Sequence, residues 1–191
     1  MASGTRSAPL HAALRAHPAT AVPQVRAISA LVQRLPEGAL AVRYTLTGVL
    51  DGLRVPETGR PRMGRDLWRH TCFELFLAAQ PPAYHELNFS PSREWAAYGF
   101  QQYRQGNPLT DPELAPQVDV RRRDGCLELD ALVWLKGPMA PYAGSALRLG
   151  ISAVVEDAGG CLSFWALRHP SPTPDFHHPE AFALELDEVR H

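Results

Sequence analysis

The chain has 191 residues, with 19 basic and 20 acidic side chains and a formal net charge of −1, so no overall field draws it to nucleic acid or to an anionic membrane surface. One ordinary domain of this length buries a core without disulfide or metal staples, and Cys72, Cys126 and Cys161, odd in number and far apart, indicate neither a disulfide framework nor a zinc site and point to a reducing compartment. With no window near the roughly 20 apolar residues of a membrane span and no signal-like apolar run in the first twenty residues, the expectation is a soluble, cytoplasmic protein.

Taken in order, residues 1–20 read as a flexible leader, with a helical turn or two across 11–17, ahead of a single domain over 21–191. Strand patterning starts near Val22. Leu40, Val42, Tyr44 and Leu46 alternate with Ala41, Arg43, Thr45 and Thr47, the mark of a half-buried strand, and Pro36-Glu37-Gly38 closes a hairpin before it. Residues 52–65 form a loop. Next, Phe73, Leu75 and Leu77 share one face and Cys72, Glu74 and Phe76 the other; beyond Pro81-Pro82, His85, Leu87 and Phe89 alternate with Tyr84, Glu86 and Asn88. A third strand sets Ala96, Tyr98 and Phe100 against Trp95, Ala97 and Gly99.

Residues 105–116 are a second loop. A hairpin turning at Asp124-Gly125 follows, with Leu127, Leu129, Ala131, Val133 and Leu135 on its core face. Leu147, Leu149, Ile151, Ala153 and Val155 face the core opposite Arg148, Gly150 and Ser152, and the returning strand opposes Leu162, Phe164 and Ala166 to Ser163, Trp165 and Leu167. Residues 169–179, with four Pro and three His, have no regular structure, and Phe182, Leu184 and Leu186 supply a last strand. Many short strands between Gly/Pro turns, without a long amphipathic helix, define an all-β chain: an antiparallel β-sandwich, jelly-roll-like.

The functional reading centres on 66–104. Glu74, Glu86 and Asn88 share a polar face that the small residues Ala97 and Gly99 would floor, a bowl suited to a polar ligand. Leu67-Trp68, His70-Thr71-Cys72-Phe73-Glu74, Asn88-Phe89-Ser90-Pro91-Ser92, Trp95 and Tyr98 together resemble the DOMON-like group related to family 9 carbohydrate-binding modules, over about residues 17–186. The resemblance implies a β-sandwich that binds a sugar or a haem on its concave face. It also implies two Trp sandwiching a sugar ring, the first at Trp68, six residues before Glu74, and the second at Trp165. Sugars offer apolar C–H faces and a rim of hydroxyls, so aromatic platforms combined with carboxylate, amide or guanidinium groups recognise them.

The expectation is therefore a non-catalytic binding domain for a small polar ligand, a carbohydrate or sugar-containing metabolite, working without a cofactor. Trp68 and Trp165 stack on the ligand, and Glu74, Glu86, Asn88 and Arg148 orient it. The Pro/His-rich loop closes over it and lends His169 or His177. Two alternatives differ in class: a haem held by Met63 and one of His70, His85, His169, His177 or His178, and a hydrolase using Glu74 and Glu86 as acid and base. A metal cluster of His169, Asp175, His177 and His178 lacks the local geometry that puts two ligands on one face. An open edge strand leaves room for a protein partner or a homo-oligomer.

Overall fold

The computed structural model describes residues 8–20 and 22–189, and period-two hydrophobic alternation organises them into strands joined by turns and loops. In chain order the strands are β1 (Leu10–Ala16), β2 (Val25–Leu35), β3 (Ala39–Gly48), β4 (Arg62–Met63), β5 (Cys72–Ala78), β6 (Tyr84–Phe89), β7 (Glu94–Gln102), β8 (Gln105–Pro108), β9 (Gln117–Arg123), β10 (Cys126–Trp134), β11 (Leu147–Glu156), β12 (Leu162–Ala166) and β13 (Leu184–Leu186). Hydrogen bonding runs β4-β7-β6-β5-β11-β12-β1-β2-β3-β10-β9, with β13 beside β11 and β8 beside β7. Every pairing is antiparallel except β4 with β7.

β1 makes the corner between two layers. Residues 10–14 pair with β2, and Arg15 and Ala16 then pair with β12, so the ladder curls into two facing sheets, a sandwich whose corner is a strand that changes sheet. The expected leader is thereby corrected over its second half. Ala-rich 11–17 carries helix propensity, but Ala12 and Leu14 bury one face and ladder partners exist on both sides, which overrides a preference worth only tenths of a kcal/mol per residue. The first seven residues of the expected leader lie outside the described residues.

Between the layers lies the main core. Ile28, Val32, Leu40, Val42, Leu46, Leu127 and Leu129 come from one sheet, and Phe73, Leu75, Leu77, Leu87, Phe89 and Ile151 from the other; burying such a side chain contributes about 1.5–3 kcal/mol. Tyr44 crosses the layers, its hydroxyl donating to the Glu74 carbonyl at 2.8 Å. A polar atom in an apolar core is costly unless satisfied, so this bond also pins the register of β3 against β5.

The two sheets differ on their outer faces. β10 buries every second residue and leaves Glu128 and Asp130 outside, paired with Arg121 and Arg43, the one-sided pattern of a half-wet antiparallel sheet. β5 buries all seven of its residues, and β11 all but Arg148. The outer face of their sheet is therefore covered as well. Segments near 67 and 169–183 lie over it, and Leu67, Phe76, Tyr84, Phe176 and Phe182 form a second apolar cluster there. That cover turns a polar sheet face into a site.

Candidate binding cleft

Register brings the polar residues together. In the β5–β6 ladder Glu74 stands opposite Asn88 and Phe76 opposite Glu86; β11 adds Ser152 beside Glu74, and β7 adds Tyr98 beside Glu86. Because alternate side chains share a face, Glu74, Phe76, Glu86, Asn88, Tyr98, Phe100 and Val154 all point away from the main core. All but Asn88 floor a cleft of about 380 Å³, walled by Trp68, Phe164, Phe176, Pro174, Arg104 and His177. The expectation that Ala97 and Gly99 floor it is corrected: Ala97 pairs with Leu87 and Gly99 with His85, which puts both on the opposite face. Ala97 is in the main core. The floor beside the carboxylates is aromatic instead.

Glu74 and Glu86 are only 2% and 6% exposed. Glu74 Oε2 accepts from Ser152 Oγ at 2.9 Å and Oε1 from the Cys72 thiol at 3.7 Å. Glu86 Oε1 accepts from Asn88 Nδ2 at 2.8 Å, and Asn88 Oδ1, fully buried, has no partner. Burial, and then the charge of Glu86, raise Glu74 to about 8; burial raises Glu86 to about 7. Two carboxyls this close to one another titrate as a pair, and near neutrality the pair retains protons that free carboxylates would have lost.

The wall is built by a strap across the sheet. Asp175 accepts from Tyr103 Oη at 2.7 Å and from Arg104 Nη2 at 2.9 Å. Burial works to raise the Asp175 carboxyl, but these two bonds and the Arg104 charge outweigh it and hold the group below its ordinary value. Arg104 occupies a left-handed conformation, φ 55°, in the β7–β8 turn, which swings its side chain back over the sheet. Its amide donates to Tyr84 Oη at 3.0 Å, and Tyr84 Oη lies 2.9 Å from His177 Nδ1. With the Tyr84 proton given to Nδ1, the His177 Nε2–H faces Glu86 Oε2 at 3.7 Å, beyond direct hydrogen-bond range. Burial, then the Arg104 charge, lower His177 to about 4, so it is neutral and this contact is not an ion pair.

Three expected site residues lie elsewhere. Trp165, 7% exposed, is packed in the main core with its indole N–H donating to Ser163 Oγ at 3.1 Å; alternation along β12 turns Phe164 to the cleft in its place. Arg148 reaches the Pro179 and Phe182 carbonyls at 2.9 and 3.2 Å, clamping the chain after the strap. His169 Nε2 meets the Arg15 carbonyl at 2.8 Å and does not line the cleft. Trp68, Glu74 and Glu86 line it, and Asn88 lies beneath. Phe76 was legible from its parity with Glu74. Arg104, Phe176 and Pro174 arrive through a turn and a loop, for which sequence periodicity carries no signal.

The donor set does not fit a haem. Met63 lies exposed on β4, His70 Nδ1 is 2.7 Å from Glu156 Oε2, and His85 is beside the Tyr142 hydroxyl on the core side. Of the residues near 169–179, His178 Nδ1 accepts from the Glu180 amide and Asp175 holds Arg104; among the described residues no three His, Cys, Asp or Glu converge on one point.

No protein family and no curated protein matches the sequence. Solved structures do match in fold. A candidate carbohydrate-binding protein from Bacteroides uniformis superposes with a TM-score of 0.61 at 12% identity, over 88% of this chain and 83% of that one. A family 9 carbohydrate-binding module from Caldicellulosiruptor kristjanssonii in complex with glucose gives 0.51 at 12% identity, over 90% and 81%. The chain thus has the β-sandwich fold of family 9 carbohydrate-binding modules. Identity this low speaks to fold alone.

Proposed function

We propose that this chain is a binding protein for a small saccharide or sugar-containing metabolite, held in the cleft on the outer face of β5, β6, β7 and β11. The observation that carries the reading is a floor with two buried carboxyls, Glu74 and Glu86, the latter backed by Asn88, beneath aromatic walls. Its volume falls within the range of small-molecule pockets, roughly 300–1,000 Å³. Trp68, 44% exposed at the mouth, is placed to stack on an apolar ring face, and Phe100 and Phe164 provide the opposing surface that Trp165 does not. The likeness in fold to a module solved in complex with glucose supports the same class of ligand.

Titration of intrinsic tryptophan fluorescence with a panel of mono- and disaccharides tests this. The expected result is a saturable shift with at least one sugar, lost in Trp68→Ala while the far-UV circular dichroism stays unchanged. Absence of any response, confirmed by calorimetry, overturns the reading. So does a response that survives in Trp68→Ala and Phe100→Ala together.

A further inference from the structure

The floor of the cleft has more acceptors than donors. Four carboxyl oxygens and Asn88 Oδ1 meet only Ser152 Oγ–H, the Cys72 thiol and Asn88 Nδ2, and Asn88 Oδ1 has no partner although the side chain is fully buried. Arg104, whose charge acts on Glu86, has its guanidinium bonded to Asp175 and Tyr103. His177 is neutral and stands off at 3.7 Å. A sugar hydroxyl brings one donor, and beyond the proton the carboxyl pair retains this floor offers its lone pairs little; an ammonium brings three donors and no acceptor. The rings of Phe76, Tyr98 and Phe100 line the same cleft, and aromatic rings attract a desolvated cation.

We propose that the ligand of this cleft carries a protonated amine, as a hexosamine does, and that its ammonium sits on Glu74 and Glu86, which Asn88 backs from beneath; the sugar part rests on the saccharide reading of the cleft. Buried charges persist only when paired. Without a cation the two carboxyls keep a proton, and the ammonium takes its place, so binding releases a proton to solvent. The titratable and charged groups facing the pair are Cys72 on β5, Tyr84 on β6, Tyr98 on β7, Arg104 in the β7–β8 turn, and Asp175 and His177 on the strap, with Tyr44 behind Glu74 on the core side. Of these, only the carboxyl pair is both buried and short of a counter-charge.

Isothermal titration calorimetry at pH 7 decides the matter, using glucosamine, galactosamine and mannosamine against their parent hexoses, and cyclohexylamine against cyclohexanol. One hexosamine is expected to bind at least about tenfold tighter than its hexose, the range of a hydrogen bond to a charged group. Its heat is expected to vary with buffer ionisation enthalpy as one released proton requires, and the preference to vanish in Glu74→Gln/Glu86→Gln, whose unfolding temperature shows it folded. Hexoses that bind as tightly as their amines overturn the amine inference and leave the saccharide reading standing. Cyclohexylamine binding with no sugar binding upholds the amine and removes the saccharide. Failure of every compound overturns both.

Discussion

Trp165 and Trp68 show how little residue type says about role. The indole of Trp165 fills the space between the sheets and its N–H is satisfied by Ser163, so Trp165→Ala should cost about 3–5 kcal/mol, the range for large aromatic truncations in a core. Chemical denaturation will read this as a lower midpoint at unchanged slope. Trp68 projects from the three-residue turn Leu67–Arg69, with the Arg69 guanidinium 5.2 Å from its ring, and Trp68→Ala should change stability by no more than roughly 0.5 kcal/mol while abolishing ligand response. Parity along β12 separates Phe164 from Trp165 at the level of sequence. What sequence does not say is which face the ligand takes when both faces are apolar.

At the scale of elements, the strap over residues 169–179 is held by polar contacts as well as by the packing of Phe176 and His177 on Phe164, Phe76 and Phe100. Asp175 joins it to Tyr103 and Arg104, His177 joins it to Tyr84, and Arg148 holds the backbone at Pro179 and Phe182. Asp175→Ala removes three bonds to a carboxylate, from Tyr103, Arg104 and the His177 amide, of roughly 1.5–3 kcal/mol each before solvent screening. Amide exchange across 171–178 should then speed up by about tenfold or more, and ligand affinity should weaken, with β5 and β11 as protected as before. Equal acceleration in β5 would mean that the strap and the sheet open together, contrary to this division. Four prolines mark the segment as irregular, but its docking partners, Arg104 and Tyr84, lie some 70 to 90 residues away in sequence and no local pattern pairs them.

For the whole molecule, the cleft imposes a pH dependence on folding. Glu74 and Glu86 titrate higher in the folded chain than the ordinary 4.5, so between about pH 5 and 8 the native state holds protons that the unfolded chain has released, and stability falls as pH rises through that window. His177 acts with the opposite sign at lower pH. Lowered from 6.5 to about 4, it makes the unfolded chain bind more protons below 6.5 and removes stability as pH falls toward 4. Thermal unfolding of the wild type should therefore decline from pH 6 to 8.5, and the Glu74→Gln/Glu86→Gln variant should run nearly flat over the same interval. A wild-type curve as flat as the variant's would mean that the carboxyls are solvated and the cleft more open than described.

The β-sandwich was legible from sequence alone because strand alternation is a local, period-two signal, repeated in β3, β5, β6, β10 and β11, and it also placed Glu74, Glu86, Asn88 and Phe76 on one face. The motif around Trp68 and Glu74 pointed to the family 9 fold that the structural comparison shows. The tertiary structure decided the rest. β1 became a corner strand because partners waited on both sides of it, and β6–β7 register moved Ala97 and Gly99 to the core face. The strap made a buried, acceptor-rich cleft of the polar bowl that sequence expects, with His177 and not His169 at its wall. Burial is a property of what lies above a face, and here that cover comes from segments distant in the chain.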